Sequence, residues 1–139
     1  MSLIIVPIDY SANSKKALDQ AFLLAHQTGS QVELLHIIDV AKFANSPKIL
    51  EIVMSERKEE EAKLKNLALQ RIAALGIGPG IRWRVKVLYT DSFLNGVLNR
   101  FGKAKAKLVV MGTHGVTGMA DKIFGSNTAN LIEIGRAHV

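Results

Sequence analysis

The sequence predicts an α/β domain built on an open parallel sheet, and three observations carry that expectation. Short, predominantly apolar runs at Leu3 to Ile8, Val32 to Ile38 and Leu108 to Met111 have the length and composition of strands buried on both faces. Between them lie longer stretches whose apolar residues recur at spacings of three and four, the period of a helix with one buried side. A further run, Ile81 to Leu88, sets Ile81, Trp83, Val85 and Val87 against Arg82, Arg84 and Lys86, so one of its faces is wet and it belongs at a sheet edge. Strands alternating with helices build parallel βαβ units with right-handed crossovers.

Taken in order, Leu3 to Ile8 is bounded by Asp9, Ser11 and Asn13, residues that end strands. Ser14 is placed to cap a helix whose buried side carries Leu18, Phe22 and Ala25, with Ala21 and Leu24 beside them, and Thr28-Gly29-Ser30 ends it. Val32 to Ile38 is the second strand. Pro47 to Leu75 is mostly helix-forming, with an apolar side at Leu64, Leu67, Ala68 and Leu75 and with Glu59–Lys63 and Glu61–Lys65 as exposed pairs four residues apart. Its middle, Ser55 to Lys63, is polar nearly all round, which leaves room for a break or a solvent-exposed arm. After the third strand, Asp91 or Ser92 caps a helix carrying Phe93, Leu94, Val97, Leu98 and Phe101. Leu108 to Met111 is the fourth strand, and Asn127 to Ile134 reads as a last helix.

At 139 residues the chain suits a single domain over positions 1–139, and 48% hydrophobic with 22% charged residues is the composition of an ordinary soluble globular protein. Cysteine is absent, which excludes a disulfide scaffold and thiolate metal sites. No stretch approaches about 20 apolar residues and the N-terminus lacks a basic-then-apolar signal, so a cytoplasmic location is expected and a membrane is not. The formal charge of +6 does not imply nucleic acid: Lys103, Lys105 and Lys107 share one connection, Arg82, Arg84 and Lys86 share one strand face, and the other bases mix with acids.

The chemistry concentrates near the C-terminal end. Gly112, Gly115, Gly125 and Ser126 give the spacing Gly-x2-Gly-x9-Gly-Ser between the fourth apolar run and the last helix. Glycines after a strand and again before a helix let bare backbone N–H groups close on an anion, and Ser126 and Thr128 add hydroxyl donors. The alternative is structural: a tight turn at Gly112 and Gly115, and a plain helix cap at Ser126. A thirteen-residue excursion that ends in a second Gly-Ser is longer than a plain connection needs.

These residues resemble the ATP-binding class of the universal stress protein family. Ile4-Ile5-Val6-Pro7-Ile8-Asp9-Tyr10-Ser11, followed by Ser14 and Ala17-Leu18, looks like that family's first strand and helix, and Leu34-Leu35-His36-Ile37-Ile38-Asp39 like its second strand. Val109-Val110-Met111-Gly112-Thr113-His114-Gly115 is similar to its fourth strand and glycine loop, and Gly125-Ser126-Asn127-Thr128-Ala129 to the start of its last helix. The resemblance implies a Rossmann-like sheet of the adenine nucleotide α-hydrolase kind, ordered 3-2-1-4-5, which puts the alternating third strand at an edge. It also implies that Pro7, Asp9 and Ile37 lie against adenine and ribose, that Met111 and Gly112 pass under the ribose, and that Gly115, Gly125, Ser126, Asn127 and Thr128 hold phosphate. Asp9 has a second reading, as the cap of the turn through Tyr10 or Ser11.

Three functions from different classes follow. One is a stress-response regulator that binds ATP with Mg²⁺; one is a slow ATP hydrolase; one is a scaffold of the family's non-binding class that serves dimerisation. The glycine spacing weighs against the scaffold. The Ser-Gly-Gly-x-Asp-Ser signature of related hydrolases and the P-loop pattern are both absent, and His114, beside the expected phosphates, has no nearby carboxylate to orient it, so no catalytic residue is assigned. No metal ligand is assigned in the protein either. His36, inside an apolar strand, reads as a satisfied core histidine and His26 as a helix-flank residue. Lys122 could reach a phosphate; Asp39 and Asp91 could touch ligand, although capping explains both.

The chain departs from the family in two places. Tyr89-Thr90-Asp91-Ser92 stands where a Gly-x-Pro turn is usual, and after Ile132 no fifth apolar strand follows. The tail Glu133-Ile134-Gly135-Arg136-Ala137-His138-Val139 reads like translated sequencing adapter, so the expectation is a gene fragment whose fourth strand keeps a bare outer edge. In the family that fifth strand builds the homodimer, which the resemblance therefore implies only for the full-length form. No protein partner is indicated.

Overall fold

The computed structural model describes residues 2–112 and the backbone of residues 122–125. Strand β1 (Leu3–Pro7) is buried along its whole length. It stops where Pro7 withdraws a backbone N–H from the ladder, after which Ile8 makes one more bond, to the Leu35 carbonyl at 2.8 Å. Helix α1 (Ala12–Thr28) is capped by Ser11, not by Ser14 as the sequence reading had it: the Ser11 hydroxyl accepts from the Ser14 N–H at 3.1 Å. A capping oxygen reaches the N–H three residues ahead, so the serine in extended backbone before the first turn does the capping while Ser14 is buried inside it. Gly29 ends α1 in the left-handed conformation, where a side chain would be strained.

Strand β2 (Gln31–Asp39) leads through a 3₁₀ turn (Val40–Phe43) into two helices, α2 (Pro47–Ser55) and α3 (Arg57–Leu75). The expected break falls at Glu56. Only Leu64, Leu67 and Ala68 of α3 are fully buried, and Lys63 pairs with Glu60 at 3.2 Å instead of with Glu59. Strand β3 (Arg82–Thr90), helix α4 (Phe93–Lys103, capped by Ser92) and strand β4 (Leu108–Met111) follow.

The sheet order is β3-β2-β1-β4-β5, with the first four strands parallel. The alternating strand does stand at an edge. The bare outer edge expected for β4 does not: β5 (Lys122–Gly125) pairs with β4 antiparallel, from Met111 opposite Lys122 to Leu108 opposite Gly125. A row of free N–H and C=O groups accepts any extended segment that returns to it, and an antiparallel return needs no crossover helix.

Side chains alternate between two cores. Ile4, Val6, Ile8, Leu34 and Val110 pack with Leu18, Phe22 and Leu64 of α1 and α3; Leu3, Ile5, Leu35, Val109 and Met111 pack with Val97 of α4. Arg71 binds Asp19 with two hydrogen bonds of 2.8 Å, tying α3 to α1.

Candidate functional site

The register Ile4–Leu108 and Ile5–Val109 brings the C-terminal ends of β1 and β4 level. The chain leaves β1 for α1 on one face of the sheet and reaches β4 from α4 on the other. A sheet wound in both directions opens a crevice beyond the strand ends at that point, where ligands of such folds bind. Pro7 and Met111 floor it, both buried, and Asp9 and Gly112 follow them out of the sheet. Four of the residues singled out in the sequence are thus brought together. Ile37 lies one strand away, half-buried on the α4 face, where Gly96 comes so near that an added Cβ would stand 3.1 Å from the Ile37 Cδ1.

Asp9 is half-buried, and its Oδ1 accepts the Ser11 N–H at 3.0 Å. Burial acts to raise its pKa, but hydrogen bonding from Ser11, helped by Ser14, prevails and holds the carboxyl below its ordinary value. It is therefore an ionised acceptor, and the turn-capping reading of Asp9 describes one of its two oxygens. Gly112 is glycine for a reason the spacing did not disclose: a Cβ there would collide with the Asn13 carbonyl and stand 2.8 Å from the Ser14 N–H. The end of β4 is pressed directly onto the first turn of α1.

His36 is satisfied, as read. Its Nδ1 lies 2.7 Å from the Ile8 carbonyl, and since a carbonyl only accepts, that nitrogen carries the proton and donates. The ring thereby ties β2 to β1 one residue before Asp9, while its Nε2 faces Glu60 at 3.5 Å. Tyr10, in left-handed backbone at φ 65°, tilts against that imidazole with centroids 5.2 Å apart. Its hydroxyl is buried without a partner among the described residues, and burial, then the charge of Glu60, pushes its pKa up to about 12. Asp39 accepts the Ala41 N–H at 2.9 Å, the capping role. Asp91 is exposed, and Ser92 is the residue that caps α4. The sequence reading named Tyr10 and Ser11 only as the turn that Asp9 caps; it missed Ser11 as the cap of α1 and Tyr10 as the ring against His36, and the run of small polar residues after Asp9 was the signal for the first.

Gly125 closes β5 opposite Leu108, about 10 Å along β4 from the Gly112 end at roughly 3.3 Å per residue, and is not brought to the crevice. The strand-forming run Lys122-Ile123-Phe124 carries it there. Gly115, Ser126, Asn127, Thr128 and His114 lie outside the described residues. Among the described residues no three His, Asp or Glu side chains group to hold a metal, and no helix is long and apolar enough to cross a membrane.

An open, doubly wound sheet with an aspartate at its switch point defines a Rossmann-like α/β domain. The chain belongs to the universal stress protein family, whose profile matches residues 1–136. It is 28% identical over 140 residues to a universal stress protein of Methanocaldococcus jannaschii, an alignment spanning 94% of this chain and 75% of that one. Among solved structures, a universal stress protein family member from Burkholderia pseudomallei superposes with a TM-score of 0.65 at 23% identity, covering 81% of this chain and 82% of that one. A universal stress protein in complex with cAMP superposes with a TM-score of 0.54 at 18% identity over 85% and 77%. At these identities the superpositions establish the fold.

Proposed function

We propose that this protein is an ATP-binding stress-response regulator of the cytoplasm, a single domain that holds ATP with Mg²⁺ at the C-terminal ends of β1 and β4. One observation carries the reading: Asp9, kept ionised, follows the end of β1 at the switch point of the sheet, where Gly112 follows β4. A carboxylate there suits ribose, whose two hydroxyls need acceptors, and Oδ2 remains for them after Oδ1 has taken the Ser11 N–H. Pro7 and Ile37 give the base apolar contact, and Met111 and Gly112 run beneath the sugar. The phosphates fall to Gly115 and to the N–H and hydroxyl groups of Ser126, Asn127 and Thr128. Mg²⁺ supplies charge neutralisation on the phosphate oxygens. The cAMP complex of a structural neighbour supports adenine nucleotides as the ligand class.

Calorimetry with ATP and with GTP tests the reading. ATP gives a saturable heat, and Asp9→Ala weakens it by about tenfold to a hundredfold, the range for losing a hydrogen bond to a charged group. Absence of heat with ATP at millimolar concentration, or equal affinity in Asp9→Ala, refutes it.

A further inference from the structure

The His36 ring touches both neighbours of Asp9. Its Nδ1 donates to the carbonyl of Ile8, the residue before, and its ring lies against that of Tyr10, the residue after. Two contacts that bracket one aspartate fix where its carboxylate stands, together with the left-handed turn that Tyr10 makes. A third contact of the same ring decides when they hold. Because Nδ1 carries a proton, Nε2 of a neutral imidazole has only a lone pair, and that lone pair faces the Glu60 carboxylate at 3.5 Å. Two acceptors so placed repel each other. A proton on Nε2 turns the contact into an ion pair in which the imidazolium donates to Glu60 on α3. The two side chains are only 17% and 18% open to water, so the attraction is little screened.

The other ionisable groups around the ring are accounted for. Tyr10, from the β1–α1 connection, is pushed up to about 12 and stays neutral, and Tyr89, from β3, is raised by its burial. From α3, Lys63 binds the second oxygen of Glu60 at 3.2 Å, and Arg57 donates to the carbonyl of Val87, which lies opposite His36 in the β2–β3 register. None of the buried residues of α1 is ionisable. Histidine is the side chain that ordinarily changes charge between about pH 5 and 8. We propose that His36 and Glu60 are positioning residues for Asp9 and make nucleotide binding depend on pH: with the proton on Nε2, α3 is tied through the ring to both sides of Asp9, and without it the tie opens. This rests on the reading of Asp9 as the ribose acceptor. Affinity therefore falls as pH rises, while Asp9 itself, held below its ordinary value, stays ionised throughout.

Adenosine is the probe, because the terminal phosphate of ATP takes up a proton of its own at about pH 6. In calorimetry from about pH 5.5 to 8.5, a span that covers the histidine range, the wild type loses affinity by about threefold to tenfold on going up, the worth of one hydrogen bond. Glu60→Gln loses this dependence and keeps the tight form, since its amide NH2 donates to a neutral Nε2 and needs no proton. His36→Asn, whose amide nitrogen can stand in for Nδ1 but offers nothing to Glu60, binds weakly at both ends of the span. Nitrogen NMR of the ring shows Nδ1 protonated throughout and Nε2 losing its proton across the same span, and the Asp9 amide resonance follows that loss. A flat wild-type affinity, a Glu60→Gln that keeps the slope, or a ring in which Nδ1 is the nitrogen that loses its proton each overturns the proposal. If adenosine binds at no pH, the reading of the crevice fails instead, and the Asp9 resonance decides alone: following the His36 titration in wild type but not in Glu60→Gln upholds the positioning role, and ignoring it overturns that role.

Discussion

Glu33 and Arg100 are joined by two hydrogen bonds of 2.7 and 2.6 Å, with the carboxylate fully buried beneath α4 and a third bond reaching it from Arg84 at 2.8 Å. One carboxylate thus ties β2, β3 and α4 into a single unit, and its charge is tolerated there because two guanidiniums surround it. Glutamine there removes the charge, keeps a single acceptor oxygen and turns an NH2 donor toward guanidinium N–H groups, with Arg100 only 20% open to water. Glu33→Gln is expected to lower stability by about 2–4 kcal/mol, toward the lower end for breaking a buried pair because Arg84, 43% exposed, can turn to solvent and the amide oxygen still accepts. Urea denaturation measures this, and a midpoint unchanged from wild type contradicts it.

Gly112 gives a second prediction, because the space a methyl group would need is already occupied by the backbone of Asn13. Backbone cannot rotate away as a side chain can, so Gly112→Ala forces β4 and α1 apart and costs about 1–3 kcal/mol. Gly102 is the internal control, since it lies near the end of α4 with nothing within 4 Å of an added Cβ. Gly102→Ala is expected to be neutral or to stabilise by about 0.4–1 kcal/mol through the unfolded chain. Equal melting temperatures for the two variants would remove the steric account of Gly112.

Asp9 makes stability depend on pH in a stated direction. Its carboxyl is held below its ordinary value in the folded protein, so the unfolded chain takes up the proton first as pH falls. The contribution is complete above the ordinary carboxylate value of about 3.9 and is lost as pH drops through the lower folded value. Asp9→Asn lacks it. The gap in unfolding free energy between wild type and Asp9→Asn should therefore be constant near neutrality and close below about pH 4. A gap that stays open in acid, or widens, contradicts the assignment.

How much of this was legible depends on whether the sequence expressed a feature in a local period. Predominantly apolar runs announced β1, β2 and β4, and the Trp83–Val85–Val87 alternation announced both β3 and its edge position, because a face exposed to water must be written in every second residue. The break at Glu56 showed in the polarity of the surrounding segment. The pairing of Glu33 with Arg84 and Arg100 did not, since its partners lie 51 and 67 residues away and no period links them. A glutamate within the apolar run Val32-Glu33-Leu34-Leu35 was the one available sign. Strand β5 was hidden for a related reason: Lys122-Ile123-Phe124 is too short to show a period, and the glycines around it suggested a loop. At the crevice, the spacing drew attention to Gly112 as part of a ligand loop, whereas the constraint visible there is its contact with Asn13, which only the packing of β4 on α1 reveals.

The last prediction concerns Gly115, which the spacing alone singles out. If its backbone N–H closes on a phosphate, a branched side chain denies the oxygen that approach, and Gly115→Val loses ATP affinity by more than tenfold while adenosine, which has no phosphate, binds as it does to wild type. Removing Mg²⁺ with a chelator weakens ATP in wild type and leaves adenosine unaffected, because only the triphosphate needs its charge neutralised. In the same preparations phosphate release is slow, and His114→Ala leaves its rate unchanged, since no carboxylate near it in sequence orients that ring as a base. Calorimetry with both ligands and a phosphate-release assay separate the outcomes. Parallel losses of ATP and adenosine in Gly115→Val would assign the residue to the fold instead of to phosphate, and a large fall in release for His114→Ala would make this protein an enzyme.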